Sequence, residues 1–278
     1  MPIKCEYAKY APEKLYENSV KRIEEYAHLG KADLHIHSNY SDAKPSIEVI
    51  LEYVQHKTDL DVIAITDHDC IEGALKAVRI AKRKKYRFEV IVGEEISTTD
   101  GHILGLFLTE KIEPNQTVKE TLKQIREQGG VSIASHPFYH TRINGGDMPI
   151  MDGIGLVTLL KEKEEINGIE TVNANPMLGK QNFQANVLNS AALFMADVGG
   201  SDAHILQAIG MGWTVFEGKT AGDLKEALLH NQTAAVSKRW RFIALMRYAY
   251  FFLPKSLRLV FFTIVHGRRP KRQSHISF

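Results

Sequence analysis

The chain has 278 residues, 44% hydrophobic and 24% charged, the balance of a soluble globular protein able to bury one sizeable core. Cys5 and Cys70 are its only cysteines, which excludes a disulfide framework. The amino terminus lacks the apolar core of a signal peptide, and no run approaches the ~20 apolar residues of a spanning helix. Cytoplasmic residence is therefore expected.

The net charge of +2 hides a division along the chain. All 33 acidic and 25 of the 35 basic side chains precede Lys238, while residues 238–278 carry ten Lys or Arg and no acid. In chain order, residues 12–29 read as a helix stopped by Gly30. Apolar, β-branched runs then predict strands over 32–36, 61–66, 88–97, 102–108, 131–135, 168–173, 193–201 and 213–216. Helical patterns fall between them over 46–57, 72–85, 117–128 and 221–230. This alternation predicts an α/β fold with a mostly parallel sheet covered by helices, and the strand number suits closure into a barrel. Three regions follow: a helical lead-in over 1–30, the α/β domain over 31–237, and a basic, aromatic-rich helical tail over 238–278.

The stretch "KADLHIHSNYSDA" (31–43) places His35 and His37 on one face of a strand with Asp42 on the loop beyond, the beginning of a metal site or merely two histidines on a half-buried strand. Later strand ends decide between these readings. The second ends "TDHD" (Asp67, His68, Asp69), the third "GEEIS" (Glu94, Glu95), the fourth begins at His102, the fifth ends at His136 in "SHP", and the seventh ends "GSDAH" (Asp202, His204). Six of the 12 histidines lie at these places, and the carboxyl ends of strands in α/β barrels converge on one face. Imidazole and carboxylate donors without cysteine suit Mn, Zn or Fe and argue against a structural zinc site.

The ordered set "DLHIHSNYSDA", "ITDHD", "GEEIS" with "GHILG", "ASHPF" and "GGSDAH" resembles the PHP family, named for polymerase and histidinol phosphatase domains, over residues 31–236. The resemblance implies a distorted (β/α)7 barrel and three divalent metals. His35, His37 and Asp202 would hold the first, Asp42, His68 and His204 the second, and Glu95 would bridge to a third completed by His102 and His136. It also implies phosphoester hydrolysis by a hydroxide bridging two metals, with Asp202 in the catalytic set and His68 or His204 passing the proton. Glu94 would point to the opposite face, and Asp67 and Asp69 would orient imidazoles. His140 and Arg142 are candidates for a substrate phosphate. Asn173 and Asn175 are expected near the pocket with Lys180 nearby, Glu170 behind the ligands, and Cys70 as a small packed residue.

Family members resembling nucleoside-monophosphate phosphatases and oligoribonucleases carry a long helical insert between the motifs of His102 and His136. Here only 34 residues separate them, so nucleotide preference is not carried over. Segment 137–167, with "NGGDMPIMDGIG", is expected to act as a substitute lid. The leading expectation is a phosphatase acting on a small phosphorylated metabolite or nucleotide. The alternatives are a nuclease whose basic tail tracks nucleic-acid phosphates, and a non-catalytic domain that binds protein or membrane. An anionic membrane surface is the expected partner of the tail, set against packing of the tail on the barrel or a subunit.

Overall fold

The computed structural model describes residues 29–139, 142–143, 146–147, 153–238, 240, 245–246 and 250. The expected helix at 12–29 and most of the tail lie outside them.

The described elements are β1 (Gly30–Ile36), α1 (Ile47–Lys57), β2 (Val62–Ile65), α2 (Glu72–Lys84), β3 (Glu89–Ser97), β4 (His102–Leu106), α3 (Val118–Glu127) and β5 (Val131–Ala134). They continue with β6 (Arg142–Ile143), β7 (Gly146–Asp147), α4 (Gly155–Glu162), β8 (Gly168–Asn173), α5 (Gly179–Leu188), β9 (Ala196–Gly200), β10 (Gly212–Phe216), α6 (Ala221–Leu229) and β11 (Ala234–Ser237). One sheet runs β11-β10-β1-β2-β3-β4-β5-β8-β9, and β6 and β7 form a separate hairpin. This is the expected distorted α/β barrel, with its parallel order broken at two places. β4 is antiparallel to β3 and β5, and β10 is antiparallel to β1 and β11. The link from Ser97 to His102 is too short for a crossover helix, so β4 must return antiparallel.

Closure brings β9 back beside β1. Just past the regular pairing, His37 N–H donates to the Ala203 carbonyl (3.0 Å) and Ala203 N–H donates to that of His35 (3.2 Å). Gly200 permits this approach, since a Cβ there would lie 2.7 Å from the His35 Cβ, and Gly199 lets β10 lie close by, a Cβ there falling 2.3 Å from the Trp213 carbonyl oxygen. The interior below is filled by Leu34, Val62, Ala64, Ile91, Leu104, Ile133 and Val198, with Leu224 and Leu228 of α6 packed against them. Each of these leucines, at 0% exposure, contributes roughly 1.5–3 kcal/mol by burial. A second cluster joins α1 and α2 to the sheet through Ile50, Leu51, Val54, Ile63, Ala74 and Ala77, and a third joins α3 through Leu122 and Ile125. α3 is started by a capping box in which Thr117 Oγ1 accepts from Glu120 N–H and the Glu120 carboxylate accepts from Thr117 N–H. The core thus fixes the strand ends from beneath and leaves their carboxyl termini to the polar groups.

Candidate metal centre

Glu95, 1% exposed near the end of β3, sits at the middle of those groups. Its Oε2 lies 3.3 Å from His35 Nε2, 3.3 Å from His37 Nε2 and 3.1 Å from His68 Nδ1. Its Oε1 lies 3.1 Å from His102 Nδ1 and 3.0 Å from His136 Nε2. On the other side of His37, Asp202 Oδ1 approaches its Nε2 at 3.3 Å, and His204 Nε2 reaches Asp42 Oδ1 at 3.0 Å. The donor atoms fall into four groups whose members all lie within 4.8 Å of one another: His37, Asp42, His68 and His204; His35, His37 and Asp202; His35, Glu95 and His136; and His68, Glu95 and His102. Together these contain every ligand expected from the sequence. The grouping differs from the one the resemblance implies, because His102 and His136 stand in separate groups joined by Glu95.

The neighbouring glutamate goes elsewhere. Glu94 is buried on the far face of β3, where its Oε2 accepts from Ile112 N–H at 3.0 Å and burial pushes its carboxyl up to about 8. Strand alternation accounts for the divergence of adjacent glutamates.

The site's electrostatics call for positive charge. Burial alone would raise Glu95, yet the imidazoles of His68, His35 and His102 hold it well below the usual carboxylate range. Burial likewise opposes protonation of His37, but Asp202 and Glu95 push it up to about 10. His35 rises well above its ordinary value for the same reason, against burial, through Glu95, Asp202 and Glu170. Buried carboxylates that draw protons onto the rings of His35, His37 and His136 mark a site suited to divalent cations. His35 Nε2, His37 Nε2 and His102 Nδ1 are buried, make no well-aligned hydrogen bond among the described residues, and face the Glu95 carboxylate. Such nitrogens fit a metal and are costly otherwise.

Comparison with known proteins bears on the family and the fold. The PHP domain profile matches residues 33–249, most of the chain. The chain belongs to the PHP domain family. Among its relatives are two uncharacterized proteins of Methanocaldococcus jannaschii. MJ1587 is 41% identical over 119 residues (39% of this chain, 68% of that protein), and MJ0417 is 32% identical over 190 residues (67% and 70%). A two-domain protein from Bacteroides vulgatus containing a predicted PHP-like metal-dependent phosphoesterase superposes with a TM-score of 0.58 at 21% identity, covering 80% of this chain and 68% of that one. PsfC from Pseudomonas syringae gives 0.58 at 18% identity, covering 82% and 98%. At these identities the two structures speak to the fold alone.

The PHP domain braces these candidate ligands from β8, a strand without one of its own. Glu170 Oε1 accepts from His35 Nδ1 at 3.0 Å, and its Oε2 accepts from His136 N–H at 2.8 Å and Asn173 Nδ2 at 3.0 Å. Asn173 Nδ2 also donates to Asp202 Oδ2 at 3.2 Å. Two side chains on one strand therefore orient ligands from three others, and the Glu170 bond commits His35 to presenting Nε2. The backbone at His136 (φ 28°) and Asp202 (φ 50°) lies in the left-handed region, sparsely used by residues with a Cβ, so these ligands depend on such bracing.

Asp67 and Asp69 brace loops. Asp67 accepts from Ser38 N–H (2.7 Å), Ser38 Oγ (2.6 Å) and Ser41 Oγ (2.7 Å), and Asp69 accepts from Ser97 N–H (2.7 Å) and Oγ (2.9 Å). Asn175 N–H donates to Asn173 Oδ1 at 2.9 Å, and Lys180 is exposed on the rim. Cys70 donates to Glu72 Oε2, and burial together with that carboxylate pushes its thiol up to about 12, so it is no nucleophile at neutral pH.

Sequence reasoning passed over Asp33. This buried carboxylate accepts from Ser201 N–H (3.0 Å) and Gly210 N–H (2.8 Å), tying β1 to the segment that carries Asp202. The available signal was a charge at the start of an otherwise apolar strand. His140, the Arg142 side chain and most of the "NGGDMPIMDGIG" stretch lie outside the described residues. Near the end of that stretch, Gly153 N–H donates to the Tyr139 carbonyl at 3.0 Å.

Proposed function

We propose that this PHP domain is a metal-dependent phosphoesterase that hydrolyses a small phosphorylated molecule. The observation that carries the reading is the convergence of six imidazoles and three carboxylates, the buried Glu95 among them, at one end of the barrel. Three divalent cations of the Mn, Zn or Fe type fit the number of donors. When bound, they would supply a nucleophile at neutral pH and neutralise the phosphoryl oxygens.

The chain's own residues divide the work by depth. His35, His37 and Glu95 are fully or almost fully buried and hold position. Asp42 (43% exposed), His68 (14%) and His204 (6%) form the side nearer solvent. Substrate then approaches over Asp42, with His68 and His204 placed to move a proton and Asp202 holding His37. His140 and Arg142 are assigned to the substrate phosphate, where a guanidinium suits bidentate contact.

The test is phosphate release from p-nitrophenyl phosphate. Exhaustive chelation should abolish it, and Mn or Zn should restore it. Full turnover in protein shown by elemental analysis to be free of metal would overturn the reading.

A further inference from the structure

β11 runs antiparallel to β10, and β10 antiparallel to β1, so β11 and β1 point the same way. The chain therefore leaves the barrel at the end that carries His35 and His37. Lys238 N–H donates to the Met211 carbonyl at 2.7 Å, and Trp240 Nε1 donates to the Ala174 carbonyl at 2.6 Å. Ala174 is next to Asn173, which holds Asp202. The tail thus begins on the rim of the metal centre.

That rim mixes apolar and basic groups. Tyr40 (41% exposed) and Lys44 follow β1, while Met177 (73%) and Lys180 follow β8. Beyond Trp240, Leu245, Met246 and Tyr250 lie in helical conformation and are 38%, 54% and 82% exposed. Residues 238–278 hold ten Lys or Arg, no Asp or Glu, and nine aromatic side chains.

We propose that residues 238–278 bind an anionic lipid surface and turn the metal-bearing face of the barrel toward it. Basic residues complement acidic headgroups, and tryptophan, tyrosine and phenylalanine settle at headgroup depth. Arg247, Lys255 and Arg258 divide the apolar stretch, which favours lying in the interface over crossing it. The clusters "YAYFFLP" and "LVFFTIV" distinguish this segment from a nucleic-acid arm, whose affinity comes from solvated basic groups on phosphates.

The experiment uses the full chain and vesicles of phosphatidylcholine with or without phosphatidylglycerol. Co-sedimentation should require the anionic lipid. Replacing Arg268, Arg269, Lys271 and Arg272 together by Gln should weaken it at least ~100-fold at low salt. Circular dichroism checks the fold of that variant. Orientation is read in a background with Cys5 and Cys70 changed to Ser. A fluorophore on Met177→Cys, at the rim, should be quenched by a lipid-borne acceptor far more than one on Asn231→Cys, which precedes β11 at the opposite end. Because vesicle binding is read without hydrolysis, a catalytically silent protein would still answer the question. Binding that ignores lipid charge, binding that survives the four substitutions, or stronger quenching at Asn231 would overturn the proposal. So would a protein that stays in the supernatant with both vesicles and captures single-stranded RNA or an acidic protein instead.

Discussion

Replacing Glu170 by Gln keeps the shape of the side chain and removes one acceptor. Its two oxygens receive three hydrogens, from His35 Nδ1, His136 N and Asn173 Nδ2. If the new amide nitrogen takes the Oε2 position, two donors face a donor, and the His136 backbone cannot turn away. If it takes the Oε1 position, His35 Nδ1 must become an acceptor, which places the ring proton on Nε2, the nitrogen aimed at the cluster. Gly200 confines the choice, because a Cβ there would lie 2.7 Å from both Glu170 Oε1 and His35 Cβ, leaving little room to repack. Loss of such a ring-orienting partner costs about 10–100-fold in metal affinity or activity, or about 1.4–2.7 kcal/mol. Competition against a fluorescent chelator gives the metal affinity, and p-nitrophenyl phosphate turnover at saturating metal gives the rate. Affinity and turnover both within about twofold of the parent would show that the β8 network does not tune the ligands.

Substitutions within the centre should sort by their distance from Glu95. His37→Ala and Asp202→Asn are each expected to lower turnover at least ~100-fold, the scale on which metal sites fail when their support is lost. Glu95→Gln should be as damaging, whereas Glu94→Gln, whose amide oxygen can still accept from Ile112 N–H, should stay within about threefold; the reverse order in a side-by-side assay would refute the assigned register of β3. Gly199→Ala should destabilise the fold by about 1–3 kcal/mol in urea unfolding, since its Cβ meets backbone at 2.3 Å, and a midpoint close to the parent's would contradict that contact.

What the sequence disclosed followed from where chemistry and periodicity coincide. Ligands at strand ends are visible as His, Asp or Glu closing an apolar run, and β1, β3 and β8 lie within two residues of their predicted limits. Direction was not visible, because an apolar run reads the same whichever way it is laid. The four-residue link between Ser97 and His102 was the one available clue to an antiparallel β4. α5 escaped because it buries only Ala185 while exposing Phe183 and Val187, so no helical stripe marks it. Residues 193 and 194, read as strand, are instead the end of a π-helical turn over Asn189–Leu193 and its cap Phe194 with φ 56°, so the strand starts only at Ala196. β11 is four small residues whose pairing depends on β10 already being in place. The Glu170 network needed three dimensions, since a carboxylate in a strand says nothing about which rings it will meet.

The place where the barrel shuts has a bearing on how the domain comes apart. β1 and β9 meet through His37, Ala203 and His35, so the staves are hooped by the same few residues that carry the ligands. Cations held jointly by His35, His37 and Asp202 would rivet the first stave to the last, from opposite ends of the domain's chain. Loading the centre should therefore slow hydrogen exchange at the His37 and Ala203 amides more than at those of β4, and stripping it should let the wall part along this one seam before the remaining strands separate.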